Sequence, residues 1–172
     1  MGLLDRIRAQ PGWKHDDPLV RRAVARTLDD ADRLREIAGS DPDPRVRREA
    51  TDTLLGLALR GEDPVKAAAA LAALDDPRHL LSVARAARHE AVGRAALARL
   101  SETRARGSVA RHGIHAPVRL EALERIEDRA EILAVALKGA HADVAVAALQ
   151  RLAATEAPGA AGPPVAGADA AD

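Results

Sequence analysis

Valines recur along the chain at a nearly constant interval. Val20, Val46, Val65, Val92, Val118 and Val144 are separated by steps of 26, 19, 27, 26 and 26 residues. Four residues after each lies a small or branched apolar residue: Val24, Ala50, Ala69, Ala96, Ala122 and Ala148. Eight or nine after each comes a larger one: Leu28, Leu54, Leu74, Leu100, Ile126 and Leu152. Anchor, fourth and eighth positions share one stripe of an α-helix, so each set predicts an amphipathic helix facing a core. A second apolar pair follows at Ile37-Ala38, Val83-Ala84, Val109-Ala110 and Val135-Ala136, which predicts a second helix. Each unit therefore reads as helix, tight turn, second helix and loop. Units of this size bury their apolar faces by stacking on their neighbours.

The boundaries carry capping chemistry. Asp17-Pro18-Leu19-Val20-Arg21 and Asp43-Pro44-Arg45-Val46-Arg47 place a side-chain acceptor before a proline in the first helical turn. Weaker copies follow at Asp63-Pro64-Val65-Lys66, Glu90-Ala91-Val92, Ala116-Pro117-Val118-Arg119 and Ala142-Asp143-Val144. Gly39, Gly61, Gly113 and Gly139 stand where left-handed residues would close helices. The short step between Val46 and Val65 spans Leu54-Leu55-Gly56-Leu57-Ala58-Leu59, which suits one longer helix and no separate second one.

Paired helices opened by Asp-Pro-x-Val-Arg and followed by Ala resemble HEAT repeats of the short bacterial type. The stretch from Trp13 to Arg21 also resembles the HEAT-like N-terminal region of bacterial DUF349 proteins, and Gly93 and Ala145 depart from the motif where arginine is expected. The resemblance covers roughly residues 13 to 153. It implies an all-α fold, a right-handed α-α solenoid of about six repeats, and an armadillo-like interaction surface or scaffold without catalysis. On this reading residues 1–12 form an N-terminal capping turn with Leu3, Leu4 and Ile7, and Trp13 covers the open end of the first repeat. Residues 154–172, rich in Ala, Gly and Pro, form a disordered tail.

Composition fits helices. Of the residues 47% are hydrophobic, yet there is one Trp and no Phe or Tyr, so Ala, Leu, Val and Ile must build the core. With no cysteine there is no disulfide framework and no thiolate ligand. The N-terminus mixes acid and base without an apolar run, and no stretch approaches the ~18 residues of a membrane span. A cytoplasmic bacterial monomer with no membrane contact is the expectation.

Charge balances overall at 26 basic and 26 acidic residues, but the middle is basic. Between Arg78 and Arg119 stand nine arginines against Glu90 and Glu102. Such a segment could neutralise phosphates of a nucleic acid or another polyanion. Arg85, Arg88, Arg94, Arg104, Arg106 and Arg111 are the candidate contacts for that ligand or for a protein partner. The absence of aromatic residues there removes the stacking platforms of single-strand binders. The motif arginines Arg21, Arg47 and Arg119 are expected to form a ladder with loop aspartates, Asp17, Asp41 and Asp43 among them, while Arg22, Arg26 and Arg48 are expected in solvent. His89, His115 and His141, 26 residues apart, fall one per repeat and read as loop or N-cap residues. Stacked positions lie ~8–10 Å apart, too far to share one metal ion. His112 and His115 alone make a weak ligand pair. No phosphate loop, nucleophile elbow or zincin motif is present. Glu121, Glu124, Glu127, Asp128 and Glu131 read as a solvated acidic rim offset by Arg125 and Arg129. No catalytic, cofactor or metal residue is therefore assigned. Docking of another protein is the leading expectation, with polyanion binding through 78–119 as the alternative.

Overall fold

The computed structural model describes residues 11–156, which form helices and the loops between them. A 3-10 turn at Gly12–Lys14 precedes ten α-helices. They are α1 (Pro18–Thr27), α2 (Ala31–Ser40), α3 (Pro44–Arg60), α4 (Pro64–Ala72) and α5 (Pro77–Ala86). Then come α6 (Glu90–Ala98), α7 (Thr103–His112), α8 (Ala116–Glu124), α9 (Arg129–Lys138) and α10 (Ala142–Glu156). The amphipathic turn expected over Leu3, Leu4 and Ile7 lies outside the described residues, as does residue 157 onward. Helix α10 runs to Glu156, past the expected boundary at residue 153. No helix among the described residues is long and apolar enough to cross a membrane.

Aspartate caps and prolines start the helices. Asp17, Asp43, Asp63 and Asp76 each accept from the backbone N–H two residues on, with proline in the first turn. This satisfies a donor that has no partner within the helix. Without proline, Asp128 likewise accepts from the N–H two residues on and Asp30 from the N–H three residues on.

Helices alternate between two rows. In one, α1 packs on α3, α3 on α5, α5 on α7 and α7 on α9; in the other, α2, α4, α6, α8 and α10 follow in the same way. The second helix of one unit packs closely on the first of the next, as in α2 on α3, α5 on α6, α7 on α8 and α9 on α10, and α1 packs as closely on α3. Helix α3 runs unbroken for 17 residues. Because the rows alternate strictly, the absent second helix changes the phase. The motif helices α1 and α3 share a row with the second helices α5, α7 and α9, whereas the first helices α4, α6, α8 and α10 fill the other.

Between the rows lies one aliphatic core. Val46, Ala50 and Leu54, Val92 and Ala96, Val118 and Ala122, and Val144 and Ala148 are all buried. The third unit departs from this register. Val65 is 75% exposed and Ala69 is exposed, while Ala67, Ala70 and Leu71 point inward. Asp63-Pro64-Val65 lacks the residue that separates proline from valine in Asp43-Pro44-Arg45-Val46, so the cap puts Val65 where Arg45 sits. Leu74, Leu100 and Ile126 are buried from beyond their helices, each N–H returning 3.1 Å to the carbonyl three residues earlier.

The glycines do not close helices in the left-handed region. Gly61, Gly113 and Gly139 have φ of −51°, −62° and −63°. Leu28, Asp41 and Ala87 occupy the same position with extended backbone, so a left-handed residue is not what closes these helices; at Gly61, Gly113 and Gly139 a Cβ would lie 2.5, 2.8 and 2.7 Å from the carbonyl oxygen of the fourth residue back. Gly39 lies inside α2. Each chain exit is instead held by its own N–H bonding to the fourth residue back.

At the N-terminal end Trp13 is half-buried against the core. The Lys14 ammonium lies 4.7 Å and the Arg33 guanidinium 4.3 Å from its ring centroid, a cation–π arrangement.

Candidate functional site

The basic segment spans α5, α6, α7 and the first turn of α8, and most of its arginines are consumed within the array. Arg94 pairs with Glu90 and, across to α8, with Glu121, both at 2.9 Å. Arg106 spends its guanidinium on the carbonyls of Leu100 and Arg125. Arg111 pairs with Glu131 on α9. Arg99 reaches the carbonyls of Leu71 and Leu74 and the carboxylate of Asp75. Arg119 is buried, bonding Gly113 and Ile114 carbonyls and Asp143. Arg88 meets Glu62 at 3.8 Å.

Among the six candidates Arg85 and Arg104 are different, since neither a carboxylate nor a carbonyl of the described residues meets either side chain. They do not form one surface. Arg104 is exposed in the first turn of α7. Arg85 is in the last turn of the neighbouring α5, with its Nε buried and lacking an acceptor. The six candidate arginines are thus not one continuous basic face.

Around Arg85 lies a shallow cleft of about 260 Å³, lined by Leu59, Ser82, Arg85, Ala86, His112 and Ile114. Backbone bonds between successive units shape it. Arg88 N–H donates to Leu59 O at 2.8 Å and Ile114 N–H to Arg85 O at 3.0 Å; the same bond recurs one unit on, away from the cleft, from Ala140 N–H to Arg111 O at 3.0 Å. His112 has its pKa below the ordinary imidazole value, first because of burial and then through repulsion by Arg85, Arg111 and His141.

The repeated histidines occupy the N-cap positions of α6 and α8 without capping them. The His89 Nε2–H donates to Gly61 O at 2.9 Å and the His115 Nε2–H to Ala87 O at 2.8 Å, each tying its loop to the unit before. Among the described residues no group of three or more His, Asp or Glu is placed to hold a metal ion.

The aspartate–arginine ladder exists in part. Arg21 pairs with Asp41 and Arg119 with Asp143, whereas Arg47 bonds the carbonyls of Asp41 and Pro42. Asp17 and Asp43 cap α1 and α3 instead. Arg22 and Arg26, expected in solvent, both clamp Glu49 on α3. Their side chains are long enough to cross from α1, a reach that sequence spacing does not display. The acidic rim is likewise engaged: Glu121 meets Arg94 and Arg125, and Glu131 meets Arg111.

A second surface was not anticipated. Leu133 and Leu137 on α9 and Val146 and Leu149 on α10 are exposed on the last two helices. Leu149 is 53% exposed, while Leu97 and Leu123, at the same position two units and one unit earlier, are 0% and 3% exposed. Leu137 stands where Arg111 meets Glu131 of the following helix. The 26-residue register held the signal: these positions are covered in earlier units by a helix that has no counterpart here among the described residues. The exposed face of these last two described helices is aliphatic.

No protein-family model matches the chain, and neither a curated protein nor a solved structure matches it.

Proposed function

We propose that the chain is a right-handed α-α solenoid of about six HEAT-like units that acts as a non-catalytic, cytoplasmic protein-interaction module. The observation that carries this is the aliphatic end face of Leu133, Leu137, Val146 and Leu149. Large apolar side chains exposed together on two adjacent helices mark a place where another protein sits. The two helices that present them are tightly packed on each other and on the core, so the face is rigid before any partner arrives. The partner is another protein of complementary apolar surface. Polyanion binding is the weaker reading, because Arg94, Arg99, Arg106, Arg111 and Arg119 already hold carboxylates or carbonyls of the array.

Photo-crosslinkers at positions 137 and 149 in native cells test the reading. A discrete protein adduct is expected from both, absent when Leu133 is changed to Glu and absent from a crosslinker at Arg35 on the exposed side of α2. Retention on heparin at ~50 mM salt that falls steeply as salt rises, with no adduct at 137 or 149, would favour the polyanion reading instead.

A further inference from the structure

The repeat makes Arg85 anomalous. Its equivalent one unit later, Arg111, has a carboxylate partner in Glu131. Glu131 fits there because Gly107 lacks a side chain: a Cβ on Gly107 would lie 1.8 Å from Glu131 Oε1. Twenty-six residues earlier these two positions are Leu81 and Ala105. Leucine stands where glycine makes room for the carboxylate in the later unit, and alanine supplies no acid. Arg85 therefore keeps the helix position of its twin and loses its partner. A guanidinium N–H buried without an acceptor is costly, and Arg85 Nε is in that state.

Arg85 lines the cleft that it shares with Leu59, Ser82, Ala86, His112 and Ile114. The walls are mixed in a definite way. Ile114 is 55% exposed, yet its backbone is fixed on both sides, its N–H by Arg85 O and its carbonyl by Arg119 Nη1. Leu59 is similarly held through its carbonyl by Arg88 N–H. The Ser82 hydroxyl already donates to Arg78 O, so it offers no proton to an anion. One guanidinium fork and one imidazole N–H remain, beside two aliphatic side chains.

We propose that this cleft is a receptor for a carboxylate that carries an aliphatic group next to it, held by Arg85 and His112 and packed against Leu59 and Ile114. The planar fork of arginine matches a carboxylate with two parallel bonds. A phosphate dianion would want more donors than the cleft provides and would gain nothing from the apolar walls. The cleft is too small for more than a terminal residue or one acidic side chain and its neighbour. This site is separate from the aliphatic end face, and neither reading depends on the other.

The test is an NMR titration of the full chain, following the His112 ring and the Ile114 methyl signals. N-acetyl-leucine presents a chain-end carboxylate, and acetyl-Leu-Glu-amide presents a side-chain carboxylate. N-acetyl-leucinamide has no carboxylate, and inorganic phosphate has no aliphatic group. At least one of the two carboxylate probes should bind with Kd of about 1–10 mM, as expected for so few atoms, and the stronger of the two identifies the source. The amide and phosphate should leave both signals in place. Occupancy should also raise the His112 pKa, because a carboxylate opposes the field of Arg85.

Arg85→Gln, which keeps shape and removes charge, should weaken binding about tenfold or more with an otherwise unchanged spectrum. The pair Leu81→Gly with Ala105→Glu rebuilds the later unit's internal acid and should also abolish binding. Equal response to N-acetyl-leucinamide or to phosphate, or carboxylate binding unaffected by Arg85→Gln, would overturn the proposal. So would silence of His112 and Ile114 at tens of millimolar of both carboxylate probes.

Discussion

Arg21 grips Asp41 with two parallel hydrogen bonds, Nε to Oδ2 at 2.8 Å and Nη2 to Oδ1 at 3.0 Å. The pair ties α1 to the loop that opens α3. Asp41 also accepts the N–H of Asp43, and the third nitrogen of Arg21 bonds the carbonyls of His15 and Asp16. One side chain thus gathers the first three turns of chain around a buried carboxylate.

Asp41→Asn should therefore cost about 1.5–3 kcal/mol, the range for hydrogen bonds to charged groups. The bond to Arg21 first, and the neighbouring positive charges after it, hold the Asp41 pKa below its ordinary value. A lowered native pKa stabilises the fold above the unfolded value and loses that contribution as pH falls through the native one. Thermal melts of both proteins at neutral pH and in acid should converge as the pH drops below the ordinary carboxylate range.

Glu49 is the second acid-sensitive point. Arg26 and Arg22 donate to it from α1 at 2.8 and 2.6 Å and bring its pKa from 4.5 to about 2. Its contribution should be complete above pH 4.5 and disappear as pH falls to about 2. Glu49→Gln should cost about 1 kcal/mol at neutral pH, since both arginines are partly in solvent. Urea midpoints across this window should fall less steeply for the variant than for the parent.

Gly107 and Glu131 should behave as one unit. Gly107→Leu alone drives a side chain into the Glu131 carboxylate and breaks its bond to Arg111. Adding Glu131→Ala copies the Leu81–Ala105 arrangement of the preceding unit and should recover part of the loss. A double-mutant cycle should give a favourable coupling of about 1–3 kcal/mol. Additive costs would show that the two interfaces are not interchangeable.

Leu123 and Leu149 occupy one repeat position with opposite exposure. Leu123→Ala should cost about 2–5 kcal/mol, the range for a buried leucine, and Leu149→Ala within about 0.5 kcal/mol. Ile126→Asp, in the middle of the core, should unfold the protein cooperatively. Circular dichroism melts of the three variants check the assignment, and a Leu149→Ala loss as large as that of Leu123→Ala would contradict it.

Much of this molecule was legible before any coordinates. The stripes through Val46, Val92, Val118 and Val144, the caps at Asp17 and Asp43, and the long helix after Val46 follow from local rules. A helical stripe and an N-cap depend only on residues within a few positions of each other, and sequence displays that spacing directly. The same reasoning failed at Val65, where one missing residue between proline and valine rotated the helix. It also failed at the glycines, which serve a close approach to a backbone carbonyl and not a left-handed conformation.

Tertiary structure decided what depends on neighbours across units. Whether an arginine is free turns on what the next helix brings to it: Glu131 for Arg111, nothing for Arg85, Glu49 for Arg22 and Arg26. These partners lie about 20 to 27 residues away, and nothing local marks them. The same holds for the phase change at α3 and for the exposure of Leu149. The sequence by itself determined that the chain forms stacked amphipathic helices with a 26-residue period. Only their packing determined which charges were spent within the array and which surfaces were left over, because pairing and burial are properties of the interface between helices and not of either helix alone.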